Sequence, residues 1–167
     1  LQDAGIPVLY IGDIFQREEI RNLLSLLQLF LDRSGSSLVR AAKLPGLEIP
    51  SADVEVLLRW LKDTRPAPLS WVNSPPDGLS AAGKEALGRW SAAFAGLRPS
   101  DSPWDILCTL LLERTGILRP ILDGTGSLAL NQRIALWQAM HFLRAPDGRH
   151  AYQTVGWWSA NRMNDIS

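Results

Sequence analysis

The sequence predicts a mainly α-helical protein that carries a short strand–helix piece of an α/β domain at its N-terminus. Apolar residues recur at the three- and four-residue spacing of helices through most of the 167-residue chain. The exception is Pro7 to Ile11, a β-like run that ends at Gly12. We therefore expect two domains, a strand–helix segment over residues 1–43 and an all-helical domain over residues 44–167.

Composition limits the classes of function that the chain can have. Seventeen basic residues balance seventeen acidic ones, so any contact with DNA must come from a local patch rather than from global charge. The single cysteine, Cys108, excludes an internal disulfide and fits a reducing, cytoplasmic setting. No apolar stretch is long enough to span a bilayer, so no membrane partner is expected. The start at Leu1, without methionine, indicates a piece of a longer protein.

The first predicted helix runs from about Gln16 to Leu31. Glu18 and Glu19 fall in its first turn, where the helix dipole favours acidic side chains. The helix is apolar on nearly all sides, which requires partners on more than one face. We expect it to pack against the helical domain or against a second copy of the chain.

Three further elements are predicted before residue 80. A short helix covers residues 36–43, and Leu44-Pro45-Gly46 ends it. Ser51 is expected to cap a helix that runs to about Asp63, with Val54, Leu57, Leu58 and Leu61 facing inward. The proline-rich residues 65–78 are predicted to form an extended connection.

Later helices are predicted from their capping residues. Ser80 starts a helix, and Ser102, followed by Pro103, starts another that ends near Gly116. Ser127 is expected to cap a long helix after the turn at residues 123–126. Its predicted core-facing side carries Leu130, Ile134, Trp137 and His141. A last helix is predicted over residues 152–163.

No pattern in the sequence indicates catalysis, a cofactor site or a metal site. Residues 123–127 lack the Gly-Lys-Ser/Thr of a phosphate loop, and Cys108 lies among leucines as a small core residue. One cysteine and two separated histidines do not provide zinc-ligand spacing. Most tryptophans in helices are expected in the core, namely Trp60, Trp90, Trp104 and Trp137. Trp157 and Trp158 are consecutive and cannot both face one core, so at least one is expected at a surface or interface.

A more specific signal lies near the N-terminus. Gly5-Ile6-Pro7 opens the predicted strand, and Phe15, Arg17, Glu19, Ile20 and Arg21 follow it. This stretch resembles UvrD/Rep-type superfamily 1 DNA helicases, including helicase–nuclease relatives, where such a strand leads into motif IVa, here residues 15–22. Asn22 stands where the family has Asp. Residues 45–53, 111–118 and 131–142 resemble later segments of the family in the same order.

The resemblance implies an architecture and a function. Residues 1–43 would correspond to the first half of the second motor domain (2A), which is RecA-like, and residues 44–167 to the helical 2B-like insertion. The implied function is that of an accessory or regulatory domain that handles DNA at the single-strand/duplex junction or regulates unwinding. The ATPase motifs are not in this chain, so ATP and Mg²⁺ would belong to the parent helicase. The partners implied are DNA and the missing motor domains.

The resemblance also places candidate DNA contacts, where phosphate contacts position DNA without reading its sequence. The candidates are Arg17, Arg21, Arg40, Lys43, Gly46 and Ser51. Glu48-Ile49-Pro50 stands where the family has a Gly-Ile-Gly turn that grips the duplex backbone through main-chain amides. Proline donates no N–H and Glu48 is acidic, so the alternative is a protein–protein interaction module on a helicase scaffold without DNA contact.

Overall fold

The computed structural model describes residues 16–144, except for the side chain of Phe142. These residues are mainly α-helical, as predicted, and contain no β-strand. The helices are α1 (Glu18–Gln28), α2 (Leu38–Ala41), α3 (Ser51–Thr64), α4 (Ser70–Asn73), α5 (Ala81–Phe94), α6 (Pro103–Cys108), a π-helical segment (Thr109–Arg114), α7 (Arg119–Asp123) and α8 (Gly126–Leu143). The predicted strand at residues 7–11, Phe15 and the predicted last helix with Trp157 and Trp158 lie outside the described residues.

Helix α1 is the most deeply buried element of the N-terminal part. Arg17 precedes it in extended conformation, and Glu18 and Glu19 occupy the first turn as predicted. Its apolar side chains are almost fully buried on several faces, because α1 packs against α2, α6 and α8. The helix therefore finds its partners within the chain, and the described parts of the two predicted domains share one hydrophobic core.

The loop between α1 and α2 is organised by one carboxylate. Asp32 accepts hydrogen bonds from the backbone amides of Ser34 at 2.7 Å and Ser37 at 2.9 Å, and from the Ser36 hydroxyl at 2.9 Å. Burial by itself would raise the pKa of Asp32, but these bonds outweigh it and hold the pKa below the ordinary value of 3.8. The charged carboxylate thus supplies the acceptor for a loop that has few backbone bonds of its own.

Helix α3 begins one residue earlier than its capping signal predicted. The Pro50 carbonyl already accepts the first helical bond, from the Val54 amide at 3.0 Å, so Ser51 lies inside the helix and its side chain makes no capping bond. The prediction that Ser51 is the N-cap is wrong for this reason. Leu57 and Leu61 are buried as predicted, whereas Val54 and Leu58 are only half-buried.

The connection after α3 is less extended than its prolines suggested. It contains the short helix α4, which places Trp71 and Val72 in the core. Trp71 contacts Trp90 of α5 with ring centroids 5.3 Å apart. The prediction of an extended connection over residues 65–78 is therefore corrected, because burial of these two side chains compensates for a poor local helix signal.

Helix α5 carries the centre of the core. Ser80 caps it as predicted, since its hydroxyl accepts a bond from the Gly83 amide at 3.0 Å. Trp90 is fully buried, and its indole N–H donates to the Leu47 carbonyl at 2.8 Å. Phe94 stacks on Trp90 with ring centroids 5.4 Å apart.

Helix α6 starts at its predicted cap and continues without a break into the π-helical segment. The Ser102 hydroxyl accepts a bond from the Asp105 amide at 3.3 Å, and Pro103 occupies the first turn. Ile106 and Leu107 are buried against the rest of the core. The pattern of leucines predicted a helix here but not its change to π geometry after Cys108.

Helix α8 buries a different face from the one that its periodicity predicted. Leu130, Ile134 and Trp137 are 53%, 45% and 67% exposed, and His141 is exposed as well. The buried face instead contains alanines and leucines, namely Ala129, Ala135, Leu136, Ala139 and Leu143. Small side chains let α8 lie close to α1, α6 and α7, so close packing selects the alanine face.

The prediction that four helical tryptophans lie in the core is confirmed only in part. Trp90 is buried as expected, Trp60 and Trp104 are half-buried, and Trp137 is on the surface. Among residues 16–144, no helix combines the length and the apolar character needed to cross a lipid bilayer.

Candidate functional site

A polar cleft of about 420 Å³ lies between α1 and α2. We call it the basic cleft, because two of the predicted DNA contacts, Arg40 and Lys43, line it together. Arg40 lies in α2 and Lys43 in the turn that follows it, where the Lys43 amide donates to the Arg40 carbonyl at 3.1 Å. The remaining lining residues are Glu18, Asn22, Ser36, Val39 and Leu44.

The two basic side chains in the cleft differ in their surroundings. The Arg40 guanidinium donates to the Asn22 side-chain oxygen at 3.0 Å, which ties α2 to α1. Lys43 is exposed at the edge of the cleft. Glu18 brings a negative charge to the same cleft, so the cleft is of mixed charge. An anion would therefore be drawn to the Lys43 side rather than to the cleft as a whole.

Arg17 and Arg21 do not line the basic cleft. Arg17 precedes α1, and its Nε lies 2.7 Å from Glu19 Oε1. The two atoms are close but not aligned for a hydrogen bond, since Glu19 Oε1 has no hydrogen-bond donor among the described residues. Arg21 Nε is buried and also has no hydrogen-bond partner within residues 16–144. Both arginines are only half-exposed.

Gly46 lies in the turn that follows α2 and Ser51 is the first residue of α3, and neither lines the basic cleft. Gly46 is exposed with φ +83°, the left-handed region that favours glycine. Between them, the Ile49 amide donates to the Ala42 carbonyl at 3.0 Å, and Pro50 has no N–H. These two positions of the turn therefore offer no free amide to a phosphate.

A second cavity, which we call the apolar groove, has a volume of about 450 Å³. It lies between α8 and the α6–π helix, with α7 at one side. Arg133 is the one charged side chain that lines it, and its guanidinium donates to the Gly124 and Ala129 carbonyls at 3.3 Å. The other lining residues are Trp104, Cys108, Leu111, Leu112, Leu118, Leu122, Leu136, Trp137 and Met140.

The π-helical segment shapes one wall of the groove. Its wider turn buries Leu111 and leaves Leu112 67% exposed at the groove. Arg114 fixes the end of the segment by donating to the Ala93 and Ala95 carbonyls at 2.9 and 2.6 Å. Short π-helical stretches occur frequently at functional sites. The groove has no signature in the sequence, because its lining residues come from four elements.

Cys108 lies at the groove and is not the fully buried core residue that its leucine neighbours suggested. Burial raises the pKa of its thiol, and the carboxylates of Asp105 and Glu113 raise the pKa further. The thiol therefore remains protonated at neutral pH. A protonated thiol is a poor nucleophile.

Beside the groove, α8 presents an exposed stripe made of Leu130, Ile134, Trp137 and His141. The rings of Trp137 and His141 stack at 5.4 Å with an interplanar angle of 12°. Three of these four positions expose large apolar side chains, Leu130, Ile134 and Trp137, and clusters of such side chains are typical of interaction sites.

The described part of the chain contains no group of three His, Cys, Asp or Glu side chains that could hold a metal ion. No protein family, curated protein or solved structure matches the chain.

Proposed function

We propose that this chain is a helical accessory domain of a UvrD/Rep-type DNA helicase and that it contacts the DNA backbone at the single-strand/duplex junction. The observation that carries the proposal is the basic cleft, where Arg40 and Lys43 meet α1, the helix that resembles motif IVa. The RecA-like origin of the N-terminal piece, ATP and Mg²⁺ in the parent helicase and a cytoplasmic location belong to the same proposal. The chain itself is assigned no catalytic role.

The physical basis is sequence-independent attraction between cationic side chains and phosphates. Each phosphate neutralised on duplex DNA contributes about −0.9 to the slope of log affinity against log salt. Arg40 and Lys43 therefore predict a slope of about −2, which is weak compared with dedicated DNA-binding domains. The mixed charge from Glu18 fits a surface that guides DNA while a motor holds it.

The test is fluorescence anisotropy of a labelled fork-junction DNA, titrated with the chain at several salt concentrations. Lys43→Gln should weaken binding and reduce the magnitude of the salt slope by about 0.9. Lys84→Gln is the matched control, because Lys84 is exposed on α5 and does not line the cleft. Equal slopes for both variants, or no binding at low salt, would contradict a role of the cleft in holding DNA.

A second candidate is the protein–protein interaction module, and the exposed stripe on α8 favours it. Partner proteins with apolar faces, such as the motor domains of the parent helicase, would cover these side chains. In a pure preparation the stripe is expected to cause weak self-association. Light scattering over a range of concentrations should show a mass increase that Ile134→Glu abolishes and Leu31→Glu, at a similarly exposed position, does not. A wild-type chain that stays monomeric at the highest concentration would count against this role.

A further inference from the structure

Helix α8 has the residue spacing of a helix that pairs with another helix. Leu130, Ile134, Trp137 and His141 follow one another at intervals of four, three and four residues. This alternation is the repeat by which two helices pack their side chains together along one face. The spacing is that of buried positions, yet all four residues are exposed. The described part of the chain therefore leaves a helix-pairing face uncovered.

The charges on α8 favour a second copy of the same helix as the partner. The helix contains no acidic residue, and its only arginine is Arg133. The Arg133 guanidinium donates to two backbone carbonyls of its own chain, so it is turned away from the exposed stripe. A helix partner with a charged face would find no opposite charge here. Two copies of α8, in contrast, can meet without bringing opposed arginines or carboxylates together.

The apolar area at this face fits a weak dimer. Aromatic side chains bury about 150–250 Å² each, so Trp137, which is 67% exposed, offers roughly 150 Å². Trp137 also lines the apolar groove, where Leu112 and Leu122 are more than half exposed. The stripe and these two leucines together offer on the order of 500 Å² of apolar surface in each copy. A standard interface buries about 800 Å² per partner, so a dimer in exchange with the monomer is expected.

We propose that α8 pairs with α8 of a second copy of the chain, antiparallel and related by a two-fold axis. In this arrangement Ile134 faces Trp137 of the second copy, and Leu130 faces His141 of the second copy. Each aliphatic side chain then lies opposite a ring, and the dipoles of the two helices run in opposite directions. An interface with this symmetry closes on itself, so assembly stops at the dimer.

This inference rests on the protein–protein interaction candidate, because it uses the same exposed stripe. It names a second copy of the chain, rather than a motor domain, as the occupant. The DNA-binding role proposed for the basic cleft is independent of it, since that cleft lies between α1 and α2.

Sedimentation equilibrium of the full chain over a range of concentrations measures the dissociation constant of the dimer. The wild type should fit a monomer–dimer equilibrium without larger species. Ile134→Glu and Trp137→Lys should each weaken dimerisation about tenfold or more, because each places a charge in an apolar contact. Both positions are exposed, so the fold should tolerate the changes, which circular dichroism checks. Leu31→Glu, at a similarly exposed position outside the stripe, is the matched control and should dimerise like the wild type.

A mixture of the two variants tests the direction of the helices. In the antiparallel pair the new glutamate of one chain faces the new lysine of the other. The mixture of Ile134→Glu with Trp137→Lys should therefore dimerise about tenfold or more tightly than either variant alone. The control mixture is Ile134→Glu with Ile134→Lys, whose new charges face each other only in a parallel pair. This control should not regain the dimer.

Three results would overturn the proposal. A wild-type chain that stays monomeric would refute it together with the protein–protein interaction candidate. A mass that grows beyond the dimer would show an unspecific apolar surface. A wild type whose association depends on Ile134, combined with no gain in the first mixture or a gain in the control mixture, would refute the antiparallel pair and leave the stripe as a docking surface.

Discussion

The contact between α3 and the start of α5 allows a quantitative test by a double-mutant cycle. Asp53 is only 3% exposed, and its carboxylate accepts bonds from the Ser80 amide at 2.7 Å and the Ser80 hydroxyl at 2.6 Å. A Cβ added at Gly83 would lie 2.5 Å from Asp53 Cγ and Oδ2. The two bonds hold the carboxylate in place, so Gly83→Ala is expected to force a local rearrangement.

The change in the free energy of unfolding caused by Gly83→Ala follows from two opposing effects. Replacing glycine by alanine inside a helix stabilises by up to about 1 kcal/mol, whereas overpacking of this kind costs about 1–3 kcal/mol. Gly83→Ala should therefore lower the free energy of unfolding by about 1–2 kcal/mol. In an Asp53→Ala background the clash is absent, and the same change should become neutral or stabilising. The expected coupling between the two positions is about 2 kcal/mol.

Urea unfolding, monitored by circular dichroism, gives the free energy of unfolding of the wild type, of the two single variants and of the double variant. Gly88→Ala is the internal control, because Gly88 lies in the same helix and an added Cβ there meets no atom within 4 Å. It should stabilise the protein by up to about 1 kcal/mol. If Gly83→Ala stabilised to the same extent, or destabilised equally with and without the Asp53 carboxylate, the steric argument would be refuted.

Two further predictions concern the loop before α2 and the core. The lowered pKa of Asp32 means that its contribution to stability is present above the unfolded-state pKa and is lost as pH falls through the lower folded-state value. The unfolding free energies of wild type and Asp32→Asn should thus differ near neutral pH and converge well below pH 3.8; a constant difference would contradict the assignment. Trp90→Phe removes the donor to the Leu47 carbonyl and leaves a small cavity, so urea unfolding should show a loss of about 2–4 kcal/mol. Trp137→Phe, at a position that is 67% exposed, should lower the free energy of unfolding only slightly. An equal loss for Trp90→Phe and Trp137→Phe would argue against the buried hydrogen bond as the cause.

The elements that sequence reasoning predicted well are those defined by local chemistry. Ser80 and Ser102 act as caps because the bond each makes spans only three residues. The same rule failed at Ser51, where the extended Pro50 already starts the helix. Arg40 and Lys43 were named from the sequence as candidate DNA contacts, but the partner of Arg40, Asn22, could not be predicted, since it comes from another helix.

Features that depend on packing were not predictable from periodicity. Helix α8 has apolar residues around most of its circumference, so the spacing of Leu130 and Ile134 gave no information on which face the rest of the fold would cover. The π-helical segment has no sequence signature among its leucines. The end of the segment is fixed by tertiary bonds from Arg114 to the end of α5, which no local pattern indicates. The apolar groove, which combines both features, could therefore be found only in the folded structure.

The bonds between residues 47–53 and α5 have a practical consequence for protein engineering. The bonds from Leu47 to Trp90, from Glu48 to Arg89 and from Asp53 to Ser80 hold the start of α3 and the turn before it against α5, so they do not involve residues 65–79 of the connection that contains α4. At the end of that connection Asp77 and Gly78 are exposed, and a Cβ at Gly78 would meet open space. Lengthening a flexible loop costs only about 0.6 kcal/mol for each doubling of its length. This position should accept an inserted epitope or fluorescent label while the rest of the chain keeps its structure.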